Sequence, residues 1–507
     1  MSDRKFKVLF IYPGIFMQIG LPLGIPCLVA VLKEKGIDSR VFDTIFYQED
    51  TDAVDQNTDL AERLHQVKPV DYKSVGISKK SSSMEEDFVK LLLEYKPDLI
   101  GISLIECIFE RGVKLTKLAK KVTDVPVVAG GVFPTVAPEI ALKEDSIDIV
   151  CVGEGEGPLL ELCERLQENK PYSDVKSLYI KEGDAIIKNK ITPLRPLEDL
   201  SEPDFSGFDP KIFYRPMQGN LFKTIPIEFA RGCPNQCTYC AAPSLNKLHR
   251  KEVDQRYFRV KPIKNVLKEM EKNIGLYSPE FFYFGSETFL AINDEVFNEF
   301  VNGYKKIKIP FWIQTRPETI TYERIKKLKE IGLYWLTIGI EHGNEEYRKK
   351  YLKRYTTNRQ IEEAVKLLDE LGQGVSVNSI IGFPFETREL IYDTMELNRK
   401  LFKINKNVRC NLSIFVPFRG CELHDLCLSN KLIDDAPYTN HTCLSSGSPL
   451  KSGFLTHEEI DGLFRIFNLY VHLPDEYLDR VRLAEEFSPR GNNEFQVLSK
   501  IVEERIW

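Results

Sequence analysis

What this chain lacks narrows its chemistry before any motif is considered. No uninterrupted apolar run approaches the ~18 residues that span a bilayer; the longest candidate, Leu99–Phe109, is short and carries Glu106. There is no excess of positive charge: 69 basic and 75 acidic residues leave a net −6, and such a balance carries no general affinity for nucleic acid. The N-terminal stretch MSDRKFKVLFIYPG runs straight into a strand-like segment and lacks a signal-peptide pattern. A cytoplasmic location with no transmembrane segment is therefore expected. Nor does a disulfide framework suggest itself. Eleven cysteines in 507 residues, without an export signal, point to reduced thiols and metal ligation in an oxygen-sensitive protein. What remains is 43% hydrophobic content, ample for two or three domains with cores of their own.

The chain is organised around Phe229–Pro243, FARGCPNQCTYCAAP. Cys233, Cys237 and Cys240 stand in a C-x3-C-x2-C spacing, with Gly232 and Pro234 bending the backbone beside the first thiol. Such spacing lets one loop wrap a cubic iron–sulfur cluster. A structural zinc loop, or three unrelated thiols, are the alternatives. Zinc sites normally gather four ligands from paired arms, and no matching fourth ligand lies nearby in the sequence. With Tyr239 before the last cysteine, the stretch resembles the signature of radical S-adenosylmethionine (radical SAM) enzymes. The resemblance implies a 4Fe-4S cluster held through Cys233, Cys237 and Cys240, whose open iron chelates SAM. An electron from the cluster then cleaves SAM to methionine and a 5'-deoxyadenosyl radical. An external electron donor such as flavodoxin or ferredoxin is implied as a partner.

The N-terminal third alternates strands and helices. Apolar runs at Lys7–Tyr12, Ser39–Phe42, Asp98–Ser103, Pro126–Ala129 and Asp148–Val152 read as buried strands, separated by helical segments at Gly24–Lys35, Val113–Val122 and Pro158–Leu166. That alternation predicts a doubly wound parallel sheet of Rossmann type, with its ligand beyond the carboxyl ends of the strands. Gly130-Gly131 and the run Gly153-Glu154-Gly155-Glu156-Gly157 read first as turns. In order, the pieces PLGIPCLVAVLKEKG, PDLIGIS, VVAGGVFPTVAPE and IVCVGEGEGPLLEL resemble the cobalamin-binding domain that precedes many radical SAM cores. The resemblance places Ser103-Leu104 near the corrin nucleotide tail and lets Gly130-Gly131 approach it. One departure is plain. The loop YPGIFMQIG after the first strand has no histidine, so a bound cobalamin would lack a protein histidine ligand.

Pro193–Pro216 is rich in proline and acid and reads as an interdomain linker. From Thr224 the pattern becomes strand–loop–helix, with strands expected at Ile225–Phe229, Phe281–Phe284, Phe311–Gln314, Trp335–Ile340, Ser376–Ile381 and Asn411–Pro417. These six units resemble the partial (β/α)6 barrel of radical SAM enzymes, where function gathers at the strand carboxyl ends. The expected fold is therefore α/β: a cobalamin-binding-like domain over 1–190, a linker over 191–223, the radical SAM core over 224–420 and a mainly helical region over 421–507.

By resemblance, Glu287 in Gly285–Thr288 meets the SAM amino group, as a carboxylate suits an ammonium. Arg316, in Thr315-Arg316-Pro317, meets a carboxylate or pins its loop. Glu341, in IGIEHGNEEYRKKYLKR, contacts SAM, with Gly343 allowing close approach. Arg354 reaches the SAM carboxylate, since guanidinium pairs with it bidentately. Tyr239 belongs to the same cofactor-binding set, Asn378 bonds the ribose, and Ile381-Gly382 forms the adenine edge. His342 reads as a structural hydrogen-bonding residue, and Cys410, Cys421, Cys427 and Cys443 as thiols outside any cluster.

The implied activity is transfer of methyl from methylcobalamin to an unactivated carbon of a small-molecule substrate, with anaerobic ring formation or rearrangement as the alternative. A methylthiotransferase acting on transfer RNA would need a second cysteine triad near the N-terminus. Cys27, Cys107, Cys151 and Cys163 are too scattered to supply one.

Overall fold

The computed structural model describes residues 4–16, 21–47, 57–439, 447–451 and 454–507. Its first layer grows from strand β1 (Lys7–Tyr12). Val8 and Phe10 enter one apolar core and Leu9 and Ile11 another, none more than 2% exposed. Burial on both faces is what a parallel sheet covered by helices requires. Beside β1 lie β2 (Asp38–Asp43), β3 (Leu99–Ser103), β4 (Val127–Gly130) and β5 (Ile149–Cys151), all parallel, in the order β2-β1-β3-β4-β5. The order reverses between β1 and β3, which opens a crevice above the carboxyl ends of those strands. All five expected strands are present to within one residue at each end. Two more, β6 (Leu178–Glu182) and β7 (Ala185–Lys188), extend the sheet as an antiparallel hairpin turned at Gly183, φ +59°. The strand–helix alternation did not predict them.

The stretch expected as a linker is packed rather than free. Phe205, Phe208, Ile212 and Phe213 are 5% exposed or less, and the rings of Phe205 and Phe213 meet edge-on at 5.6 Å. Their apolar side chains are spread among prolines without a period, so the sequence gives no sign of the pockets they fill. The stretch ends in β8 (Tyr214–Met217), which pairs antiparallel with β9 (Asn220–Glu228). That hairpin starts β9 five residues ahead of the expected Ile225, across the boundary placed at 223.

After β9 come a short ribbon of β10 (Ala230–Arg231) and β11 (Arg259–Val260), then β12 (Phe281–Gly285), β13 (Phe311–Thr315), β14 (Leu333–Glu341), β15 (Val375–Ile381) and β16 (Val408–Ile414). The order β16-β15-β14-β13-β12-β9-β8 makes an open half-barrel of six parallel strands with one antiparallel edge. Between sheet and helices, Phe229 stacks on Phe289 at 4.2 Å and meets Phe284 and Phe300 edge-on. One apolar cluster runs from Val8 and Phe10 in the first sheet to Phe282 and Ile313 in the second, so the two sheets share a core. The C-terminal region is helical: His457–His472, started by a Thr456/Glu459 capping box, packs on helix Arg388–Ile404 and on β16. Among the described residues no helix is long and apolar enough to cross a membrane.

Candidate active site

The cysteine loop leaves β10 through Gly232, φ +79°, where a Cβ would lie 2.7 Å from the Tyr257 ring. Only glycine fits this turn. Beyond it the three thiols face donors. Asn235 Nδ2 lies 3.3 Å from Cys233 Sγ, Arg316 Nη1 and Arg354 Nη1 lie 3.8 and 4.0 Å from Cys237 Sγ, and Ala242 N–H donates to Cys240 Sγ at 3.4 Å. N–H groups and guanidinium charge aimed at sulfur suit thiolates and the bridging sulfides of a cluster, so the donor set fits that group. Burial, opposed by the Ala242 N–H and reinforced by Glu287, pushes the Cys240 thiol up to about 12. Among the described residues, no three His, Cys, Asp or Glu side chains are grouped to hold a metal ion.

Cys421 stands beside this loop but spends its S–H on the Tyr239 carbonyl, at 3.2 Å. Cys410 and Cys427 are buried elsewhere, and Cys443 lies outside the described residues. Among the described residues no cysteine is joined in a disulfide.

The strand ends bring most of the expected side chains to the same mouth. Arg354 is the joint. Its Nη1 reaches Tyr239 Oη at 3.0 Å and Glu341 Oε1 at 3.4 Å besides Cys237 Sγ, and its Nη2 donates to the Gly339 carbonyl. Glu341 sits in a left-handed conformation, φ +67°, where the β14–β15 register shifts by a residue. The twist lays its carboxylate over Gly339, where a Cβ would stand 2.0 Å from Oε1. Burial raises the Glu341 pKa, and Arg354 opposes the rise. Glu287, at the end of β12, is exposed to the opening yet enclosed enough that desolvation raises its pKa too. Arg316 is turned toward Cys237 and held by Glu318 at 2.5 Å.

His342 is part of the scaffold. It is fully buried, its Nδ1 accepts the Asn344 N–H at 3.0 Å, and its ring stacks on Tyr347 at 4.3 Å. The proton then resides on Nε2, 2.9 Å from Glu386 Oε1. Glu386 Oε2 in turn accepts the N–H groups of Gly382 and Phe383 at 2.6 and 3.0 Å. Replacing His342 with alanine is expected to cost about 2 kcal/mol or more through the lost packing and stranded carboxylate. The measurement is the thermal midpoint beside SAM cleavage per loaded cluster. Lost cleavage at an unchanged midpoint would make His342 a proton carrier instead.

One expected side chain is turned away from the site and another is already engaged. Asn378 faces the lumen, but its Oδ1 already accepts from Asn411 Nδ2 at 3.0 Å. Ile381 is fully buried in the main core with Ile414 and Ile460, while its neighbour Ile380 packs in the cluster that includes Tyr239 and Phe383. Alternation along the strand decides this: a lumen edge at Asn378 continues at Ile380. Only the Ile381 backbone can border the site.

Above the first sheet, Leu104 N–H donates to Gly130 O at 2.8 Å, and Gly131, φ +105°, lies so close to Leu104 that a Cβ would meet its carbonyl oxygen at 2.5 Å. The Leu104 side chain is entirely core, so a ligand could meet only its backbone. Gly130 has room: its nearest neighbour to an added Cβ is Cys151 at 3.9 Å. Ser103, half-buried, ends β3 beside it. Bare backbone at an open rim fits a flat corrin edge or its tail. Sequence reasoning missed Arg231, Glu154 and Glu156, which form a buried ionic cluster beside the cysteine loop. Its faint signal is two glutamates alternating with glycines.

Two family models match the chain, the radical SAM superfamily over residues 227–397 and the B12 binding domain over residues 16–163, together more than half of its length. The chain joins a B12 binding domain to a radical SAM domain. It is 26% identical over 385 residues to an uncharacterized methyltransferase of Pyrococcus horikoshii, covering 75% of this chain and 79% of that one. It is 23% identical over 513 aligned positions to the cytidylyl-2-hydroxyethylphosphonate methyltransferase of Streptomyces wedmorensis, covering 92% and 90%. It shares the fold of the cobalamin-dependent SAM radical enzyme OxsB, with aqua-cobalamin and SAM bound there, at a TM-score of 0.66 and 15% identity over 98% of this chain and 71% of that one. This radical SAM chain is an enzyme, and its two domains bring a 4Fe-4S cluster, SAM and cobalamin as cofactors. A small-molecule substrate and a reductant go with that chemistry.

Proposed function

We propose that this radical SAM enzyme transfers a methyl group from cobalamin to an unactivated carbon of a small molecule. When bound, the cluster supplies the electron that cleaves SAM to a 5'-deoxyadenosyl radical, and the corrin supplies the methyl group. Cys233, Cys237 and Cys240 would hold the cluster. Glu287 receives the SAM ammonium, Arg354 and Arg316 receive its carboxylate, and Tyr239 and Glu341 orient Arg354. Asn378 offers its amide nitrogen to the ribose, and the Ile381-Gly382 backbone borders the adenine. Ser103, the Leu104 backbone, Gly130 and Gly131 border the corrin. Residues 1–190 form the corrin-binding unit, 191–223 the connection, 224–420 the radical core and 421–507 a helical cover. An external donor such as flavodoxin or ferredoxin delivers the electron.

The observation that carries this reading is the single guanidinium of Arg354, shared by Cys237 Sγ, Tyr239 Oη and Glu341 Oε1 within 4.0 Å. It ties the cluster loop to the end of β14, so a group on the cluster and one on Glu341 would occupy one space. The protein's part is to hold reactants in place and exclude water, and no side-chain base is required.

The test is anaerobic. The cluster is reconstituted, hydroxocobalamin is added, and the visible spectrum is recorded after desalting. Stoichiometric corrin without histidine ligation is expected, because the 12–20 loop has no histidine to bind cobalt. An intact cluster without retained corrin would remove methyl transfer and put radical ring formation or rearrangement in its place.

A further inference from the structure

The turn after β5, Gly153–Glu156, grips the cysteine loop on both flanks. Ahead of the thiols, Arg231 on β10 meets Glu156 Oε1 at 2.7 Å, Glu228 Oε1 at 2.7 Å and Glu154 Oε1 at 3.3 Å, and its Nη2 lies 3.8 Å from Cys27 Sγ in the first helix. Arg259, opposite Arg231 in the ribbon, shares Glu154 and donates to the Arg195 carbonyl at 2.5 Å. Behind the thiols, His249 lies parallel to Tyr257 at 4.9 Å and so close to Gly153 that a Cβ there would stand 3.3 Å from the imidazole. Gly153 N–H also donates to Thr135 Oγ1 at 3.1 Å, in the short helix Val132–Val136 that follows Gly130-Gly131. A continuous polar path therefore runs from the glycine pair at the corrin rim to Arg231, two residues before Cys233.

The network is nearly dry, with side-chain exposures of 12% for Arg231, 14% for Glu154 and 7% for Glu156. Buried ion pairs contribute little net stability, yet shifting one member strands its partner's charge in a low dielectric, so they fix geometry tightly. Salt does not screen them as it would a surface pair. We infer that Glu154 and Glu156 are positioning residues: they lock the cluster loop, through Arg231, to the corrin-binding sheet, and set the electrostatic environment of the cluster. The inference rests on the cluster assignment above, which the iron content of the wild-type chain tests separately.

Glu156→Gln and Arg231→Gln are compared by potentiometric titration of the reconstituted cluster, followed by EPR. Losing the Glu156 anion leaves Arg231 less compensated and favours the added electron, so the midpoint potential shifts positive. Losing Arg231 leaves carboxylates facing the cluster, so it shifts negative. Opposite shifts at wild-type iron content are the expected result. Shifts of one sign, or none, overturn the inference, since a merely structural network would disturb both variants alike. If Glu156→Gln does not load iron, Glu154→Gln, which keeps the Glu156–Arg231 pair, takes its place. A positive shift there supports the inference and an unchanged potential overturns it.

Discussion

Replacing Cys237 with alanine is expected to leave a folded chain that neither holds a four-iron cluster nor cleaves SAM above background. Cys237 is the most enclosed of the three loop thiols, at 8% exposure, and two guanidinium groups converge on it, Arg316 at 3.8 Å and Arg354 at 4.0 Å from its sulfur. A cluster left with two protein ligands loses the wrap that one loop provides, and Arg316 and Arg354 then face a methyl group. The substitution removes little volume, so the thermal midpoint should move by only a few degrees. Iron and sulfide content, the EPR signal after reduction, and release of 5'-deoxyadenosine are the readouts. Cys421→Ala is the contrast. Its thiol lies close to the same loop but donates to the Tyr239 carbonyl, so that variant should retain full iron. Retained SAM cleavage in Cys237→Ala would sink the cluster assignment, and iron loss in Cys421→Ala would call for a fourth thiol ligand.

The elements that place these groups were legible because each is written locally. β1 is an apolar run closed by Pro13-Gly14, and β14 ends in the IGIEHG stretch that carries Glu341. Strand ends of a parallel sheet converge on one mouth, so motifs found at successive strand ends were expected to meet, and Cys237, Tyr239, Glu341 and Arg354 do meet. Orientation was less legible than position. Ile381 was expected at the adenine edge, yet the strand's two-residue period turns it into the core and Ile380 toward Tyr239. Long-range pairing was not legible at all. Arg231 lies 75 residues beyond Glu156, and nothing local to either predicts their 2.7 Å contact. The packed stretch around Phe205 and Phe213 escaped for a related reason. Its partners, such as Tyr277, belong to a helix far along the chain.

Arg354→Ala should retain its cluster and lose its hold on SAM. Arg354 is 4% exposed and the only guanidinium within hydrogen-bond reach of Glu341 among the described contacts. Breaking a buried pair by removing one partner costs about 3–5 kcal/mol, because the other charge is left uncompensated. Here the stranded group is Glu341, whose pKa burial already raises; Arg354 at 3.4 Å is the largest of the influences that hold it down, ahead of Tyr239 and Arg316. Without Arg354 the carboxyl protonates more readily. SAM binding by equilibrium dialysis should weaken about a hundredfold or more, which is what 3 kcal/mol amounts to, while iron content stays near wild type.

Lysine is the informative substitution at the same position. It keeps the charge but offers one compact ammonium in place of a planar fork, whereas Arg354 serves Tyr239, Glu341 and the Gly339 carbonyl from two nitrogens at once. Arg354→Lys should therefore keep iron loading in full and recover SAM affinity only in small part. Wild-type SAM affinity in the lysine variant would reduce Arg354 to a counter-charge for Glu341. Loss of iron from both variants would instead make its 4.0 Å approach to Cys237 Sγ the contact that matters.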